Sequence, residues 1–409
     1  MKKFIIIYIL LIGTFVVKAQ VKKNFTLIMR TTGYIVLYDG DTAKTFGFAT
    51  KLSQNPPIPG PLIEVNEGDS VFVLAKNISQ GPPHTIHWHG LDVDQANDGT
   101  PATSFELKHM EEATYKFKAT HAGTYIYHCH MGDVVHVQMG MYGLVVVKAA
   151  NAAKTAWTGG PNYDSEYAWL NSEIDKKWHD SIPETDHDST QKGHEIFMIP
   201  KYNPTYFLVN GKSKQQIKAD SLTCIKSEQN KTIYLRVGNI GNMQNRITFP
   251  SKLNAKIIDS DGRPLPTVFS SDSIWVSPGE RYGVLLQSSD ILDDSISVEY
   301  INMNTHKSVA TEWVPVTITK TNSIAEINVY NNLQIFPNPA KDNFYIHFNE
   351  QKNIKYNLTM YNTSGILCFE KQLVHNAFEI AGISFSKGLY FVVITGSDGG
   401  QYSGKLLVD

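Results

Sequence analysis

Apolar and polar positions alternate in short runs along most of the chain, and glycine, proline, asparagine and aspartate separate the runs. The pattern is plain in LIEVNEGDSVFVLAKN (62–77), ATYKFKATHAGTYIYH (113–128), GLVVV (143–147), TIYLRVGN (232–239) and SIWVSPGERYGVLLQ (273–287). A period of two, enriched in Val, Ile, Tyr and Phe, predicts β-strands, and strands of this length and spacing predict sandwiches or barrels. No long run carries a helical period, so the fold class expected is all-β. The runs fall into three groups: 20–150, 151–320, and 333–409. The polar stretch TKTNSIAEINVYNN makes 321–332 a linker between the last two.

Composition adds little except by exclusion. Hydrophobic residues make up 42% and charged residues 19%, enough for real cores. A net charge of -2 with no basic or acidic block argues against nucleic acid or an anionic membrane surface as partner. The start of the chain changes the picture more. MKKFIIIYILLIGTFVVKAQ has two lysines, an apolar run from Phe4 to Val17 and a small-residue cleavage pattern, so residues 1–19 are expected to be a signal peptide. Three cysteines, Cys129, Cys224 and Cys368, are too few and too far apart for a disulfide framework. Cys224 and Cys368 lie in alternating apolar patterns that predict buried, inert thiols. Cys129 calls for another explanation.

That explanation lies in HTIHWHG (84–90) and HCHMGDVVHVQMGM (128–141). Side chains on a strand point alternately to opposite faces. If Tyr125 to His130 ends a strand, His128 and His130 share one face and Cys129 takes the other. His87 and His89 likewise share a face, with His84 on the reverse side. Two sites back to back are predicted. One joins His84, Cys129, His136 and Met141, with Met139 in reserve as the axial ligand. Two imidazoles, a thiolate and a weak thioether are the donor set of a mononuclear blue copper centre. The other joins His87, His89, His128 and His130, an all-imidazole set that suits copper, zinc, nickel and iron alike. Cys129 is covalently continuous with both flanking histidines, which gives electrons a short path between the sites.

The order His-x-x-His-x-His-Gly, then Tyr-His-Cys-His with a downstream His and Met, resembles the copper-binding repeat of the multicopper oxidases, laccases among them. The surroundings agree, since VNEGDSVFVLAKN and HAGTYIYHCH are similar to cupredoxin domains of that family over residues 62–148. The resemblance implies two cupredoxin-like Greek-key domains. It implies type 1 copper on His84, Cys129, His136 and Met141, a type 2 ligand in His87, and type 3 ligands in His89, His128 and His130. It also makes Asp98, in NDGTP, an acidic residue that supplies protons to bound oxygen. Residues 196–320 resemble a second cupredoxin domain, yet no histidine occurs between His194 and His306. That domain is expected to bind no type 1 copper, and His306 to be solvent-exposed.

The last segment resembles the C-terminal sorting domain of proteins exported by type IX secretion, through Pro337-Asn338-Pro339-Ala340, Tyr361 to Gly365, Gly388-Leu389-Tyr390-Phe391 and Lys405 to Val408. It implies passage through the periplasm, handling by the type IX machinery, and release or attachment at the cell surface. For function the resemblance implies a copper oxidoreductase that takes electrons from a small donor and reduces oxygen. A full cluster of that family takes eight histidines from two domains, whereas this chain supplies four, so a homo-oligomer is expected to complete the set. Two alternatives keep the Cys129 centre. One is a copper nitrite reductase, although there the residue matching His87 is an aspartate and the residue after the cysteine is not a histidine. The other is a non-enzymatic electron carrier or copper-holding surface protein. A single zinc site is disfavoured, because Cys129 and its neighbours face opposite ways.

Overall fold

The computed structural model describes residues 21–182, 200–320 and 333–409, apart from 342, 350–353, 374–376, 381–384 and 399. The expected signal peptide and the linker 321–332 lie outside the described residues. The described residues up to 320 form one compact unit and those from 333 onward another. Among the described residues no helix is long and apolar enough to cross a membrane.

The first unit opens with β1 (Lys22–Val36), β2 (Thr42–Ala49), β3 (Ile63–Asn66), β4 (Ser70–Asn77), β5 (His87–His89), β6 (Glu112–Lys118), β7 (Gly123–His128), the helix α1 (Asp133–Gln138) and β8 (Tyr142–Lys148). They build two four-stranded sheets, in the orders β2-β1-β4-β6 and β3-β8-β7-β5. The expected alternation holds in β5 and β7. Trp88, Tyr125, Tyr127 and Cys129 enter the core between the sheets, where Trp88 meets Tyr115, Phe117 and Tyr127. On the other face of β7, Ile126 is buried with Leu144, Leu170 and Ile240 of a separate cluster. Burying each such aliphatic side chain stabilises the fold by roughly 1.5–3 kcal/mol.

Leu170 and Ile240 belong to a second sandwich. Its elements are β9 (Ser165–Ile174), the helix α2 (Lys176–Ser181), β10 (Tyr206–Val209), the helix α3 (Gln215–Ala219), β11 (Ile225–Glu228), β12 (Ile233–Asn239), β13 (Gln244–Thr248), β14 (Lys256–Ser260), β15 (Arg263–Ser270), β16 (Ser273–Val276), β17 (Arg281–Leu286), β18 (Leu292–Asn302) and β19 (Lys307–Thr319). They form a six-stranded sheet, β10-β9-β12-β17-β14-β15, and a five-stranded sheet, β11-β19-β18-β13-β16.

The second sandwich grips the first along β7. The Arg236 guanidinium donates to the Thr124 hydroxyl (3.3 Å), Arg281 Nε donates to the Thr124 carbonyl (3.2 Å), and Arg263 donates to the Tyr125 hydroxyl (3.0 Å). At Gly123 the backbones themselves touch: a Cβ there would lie 2.6 Å from the Cα of Gly262.

The second unit carries a three-stranded sheet (334–336, 344–347, 377–380) and a four-stranded one (356–362, 367–373, 388–396, 401–408) around its own core. Here one expectation fails. Cys224 is buried as expected, but Cys368 is exposed. The pairing of Met360 with Phe369 and of Tyr361 with Leu367 leaves Cys368 as the extra residue of a bulge on an edge strand, turned out of the alternation.

Candidate metal centres

The first centre forms inside the first sandwich. His84 is pinned by a two-bond bridge to Leu107, its N–H on the Leu107 carbonyl (3.0 Å) and its carbonyl on the Leu107 N–H (2.9 Å). Cys129 follows β7 directly, and its N–H donates to the Met141 carbonyl (3.0 Å). The ligand loop is helical where no helix was expected. Gly132 adopts a left-handed conformation and starts α1, which carries His136. Met141 returns its N–H to the His136 carbonyl (3.0 Å).

The donor atoms converge. His84 Nδ1 and His136 Nδ1 are 3.3 Å apart and lie 3.6 and 3.2 Å from Cys129 Sγ. All three residues are buried. A thiolate between two imidazole Nδ1 atoms is a soft donor set that fits copper. Met141 and Met139 are both fully buried in the core cluster that contains Cys129, and Met131 packs against it from a less buried position.

The second centre forms on the outer face of the same sheet. His87 pairs with His128 across β5 and β7. The donor atoms of His87, His89 and His128 lie within 4.8 Å of one another. His130 joins from just past the strand end, so the strand is shorter than expected. Its ring centroid is 5.1 Å from that of His87, and its N–H donates to the Thr85 hydroxyl (3.1 Å). The structure thus brings together all four histidines, on the opposite side of β7 from Cys129.

Hydrogen bonds select which ring nitrogens face a metal. His128 Nδ1 donates to the Cys129 carbonyl (2.9 Å), and His87 Nδ1 donates to the Asp98 carbonyl (2.9 Å). In both rings Nε2 is the nitrogen left for coordination. Asp98 also brings a carboxylate oxygen within 3.3 Å of His87 Nδ1, and the Thr100 hydroxyl donates to its other oxygen (2.7 Å). Gly99 makes this approach possible, since its φ is +75° and a Cβ would collide with the Ile86 carbonyl oxygen.

Burial favours the neutral form of two of these rings. It pushes His128 down to about 3. Burial, followed by the neighbouring Arg281 guanidinium, pushes His89 down to about 4.

Sequence reasoning missed Arg281. It comes from the second sandwich, is almost wholly buried, bonds the Gly279 carbonyl (2.7 Å) and pairs with Asp261 (2.9 Å). A Cβ on Gly279 would be 3.1 Å from the His89 ring, so the turn before β17 walls the cluster within one chain. Nothing in PGERYG signals this, because arginine is not a metal ligand and the approach is tertiary. His179 was missed too. It is an isolated histidine in KKWHDS that contacts the carbonyls of Lys44 and Gln138. His306 is exposed, as expected, and takes no part in either centre.

Two multicopper oxidase family profiles match this chain, over residues 43–152 and 175–311. A secretion system C-terminal sorting domain profile matches 334–409. Laccase-7 of Oryza sativa subsp. japonica is 25% identical over 274 residues, 65% of this chain and 45% of its own length. A copper-containing nitrite reductase of Neisseria gonorrhoeae is 29% identical over 189 residues, 45% of this chain and 42% of its own. The chain thus spans less than half the length of these relatives. The crystal structure of the blue copper oxidase from Nitrosomonas europaea superposes with a TM-score of 0.56 at 28% identity, covering 73% of this chain and 86% of that one.

Proposed function

From the premise that this chain belongs to the multicopper oxidase family and takes copper as its cofactor, we propose that it oxidises a small electron donor at the Cys129 centre and delivers the electrons to oxygen at the four-histidine cluster. The observation that carries the reading is the opposition across β7: Cys129 Sγ meets two imidazoles on one face, while the adjacent His128 joins His87 and His89 on the other. Bound copper would supply one-electron chemistry, cycling between Cu(I) and Cu(II).

The chain's own groups do the remaining work. The Cys129 backbone links the two centres, and its carbonyl orients His128. Asp98 orients His87 through its carbonyl and places a carboxylate beside the same ring, positioned to pass protons toward the cluster. Thr100 holds that carboxylate in place.

Four imidazoles are half of what the family's cluster takes, so a second protomer completes the set in this reading. A closed symmetric assembly repeats the same patch on each copy. The test is copper stoichiometry together with mass in solution and oxygen consumption. More than one copper per chain, in an oligomer that consumes oxygen, is expected. One copper per chain with no oxygen consumption overturns the proposal.

A second reading, nitrite reduction, is favoured by Arg281. A fixed cation beside His89 suits an anionic substrate. Nitrite consumption with a reduced dye separates the two.

The sorting domain at 334–409 addresses the chain to type IX secretion and so to the cell surface or exterior. Cleavage of the tail, or its use for surface attachment, is part of the proposal. A mass measurement on the exported protein checks it.

A further inference from the structure

The five-stranded sheet of the second sandwich is incompletely paired along β19. β11 pairs with β19 only from Val316 to Thr319, and α3 with its lead-in contacts the residues before that. Here lies a pocket of about 520 Å³, with Ser295, Thr311 and Trp313 on the sheet side and Gln215 and Lys218 on the helix side. Its size falls in the range of small-ligand sites, roughly 300–1,000 Å³. One wall is built around Glu312, whose side chain is only 2% exposed. That carboxylate accepts the Lys214 N–H (2.8 Å) and lies 3.1 Å from Lys214 Nζ. The two contacts hold Lys214 at φ 51° and ψ -123°, a conformation ordinarily left to glycine, and such strain collects at ligand sites.

Glu312 is the pocket's only acidic residue and Lys214 neutralises it, so Lys218 is the cation left over. Trp313 is 57% exposed, a large apolar ring standing in water. Gln215 donates its side-chain amide to the Tyr38 carbonyl (2.5 Å), which leaves Oε1 as an acceptor. An indole face, one ammonium, two hydroxyls and an amide oxygen match a pyranose ring that bears a single carboxylate. The slightly positive C–H groups of such a ring settle on the negative π face of the indole. Its hydroxyls meet Ser295, Thr311 and Gln215, and its carboxylate meets Lys218.

The same face of the sheet continues past the pocket, since cross-strand partners share a face. Trp313 heads a row that runs through Ser297, Thr248 and Ser273 over β18, β13 and β16. The neighbouring row starts at Thr311 and reaches Trp275 through the ion pair of Glu299 with Arg246 (2.5 Å). Trp275 is exposed as well, with the Arg246 guanidinium 5.7 Å from its ring centre. Three strand spacings and one two-residue step put the two indoles roughly 16 Å apart, the reach of a short chain of sugar rings and not of one ring. We propose that this face binds an acidic polysaccharide, with a uronate unit seated between Trp313 and Lys218 and the chain running over the hydroxyl row toward Trp275. Such binding needs neither copper centre.

The test uses the full chain, with short oligomers of galacturonate, glucuronate and mannuronate as probes and calorimetry as the readout. Saturable binding of at least one is expected, about tenfold weaker for its carboxyl-reduced counterpart. Trp313 and Lys218 are exposed, so Trp313→Ala and Lys218→Gln leave the core and the melting curve unchanged. Each is expected to weaken binding about tenfold. Lys218→Gln also erases the preference for the acid over the reduced sugar, which a general loosening of the fold would not do. Trp275→Ala weakens the oligomer and leaves the monomer untouched. No binding of any oligomer, or unchanged binding in either the Trp313 or the Lys218 variant, overturns the proposal. Equal affinity for the monomer also overturns it and assigns the pocket to a free sugar acid. Equal affinity for polyglutamate does the same in favour of an acidic peptide, and a variant whose mass in solution changes makes the face an interface between copies.

Discussion

His179 Nε2 lies 3.0 Å from the carbonyl oxygen of Gln138, two residues beyond His136, while its Nδ1 meets the carbonyl of Lys44 in β2. Both partners only accept and a neutral imidazole carries one N–H, so His179, in α2, donates to one carbonyl at a time while lying between α1 and β2. Burial pulls its pKa down, and the two carbonyls oppose that. His179→Ala is expected to lower stability by about 1–3 kcal/mol, the cost of one orphaned buried acceptor. It is also expected to shift the visible absorption of the copper-loaded protein. A melting curve lowered without any change in the spectrum would reduce His179 to a packing role.

Cys129→Ser removes the sulfur that sits between His84 and His136. The visible absorption and donor oxidation are expected to vanish, while copper on the four-histidine cluster persists on the opposite face. Metal analysis beside an absorption spectrum checks both halves.

Acid should unfold the copper-free protein through its buried imidazoles. His89 and His128 are held at about 4 and about 3, below the ordinary 6.5. The unfolded chain binds protons there first, so stability falls as pH drops below 6.5 and continues to fall toward those values. Denaturant titrations between pH 7 and 4 should show the decline. His89→Gln should make it shallower.

Glu173 produces the opposite slope. It is fully buried, accepts from the Tyr202 hydroxyl (2.7 Å) and the Met243 N–H (3.1 Å), and burial raises it to about 7 from 4.5. Its contribution is fully present below 4.5 and is lost as pH rises through 7, each tenfold difference in proton affinity between folded and unfolded chain being worth about 1.4 kcal/mol. Glu173→Gln keeps an acceptor and is expected to flatten the loss between pH 5 and 8. An unchanged pH profile would show that the carboxyl is ionised throughout.

Both centres could be seen in the sequence because they depend on local geometry. A period of two sends Cys129 and His128 to opposite faces wherever β7 goes, and His87 and His89 follow by the same rule. What escaped depends on the third dimension. DVVHVQ is β-branched and alternates like a strand, yet Gly132 turns the chain and it coils into α1. Arg281 reaches His89 only because the second sandwich packs on the outer face of β7. Cys368 left its expected face through a one-residue bulge, and no pattern of apolar positions marks such a slip.

The glycine pair at the seam has a mechanical consequence. With main chain against main chain at Gly123 and Gly262 there is no side-chain cushion to compress. Sliding one sandwich past the other would drive backbone into backbone a few residues from His128. In the oxidase reading, turnover therefore proceeds on a stationary frame, with any give confined to the loops around it.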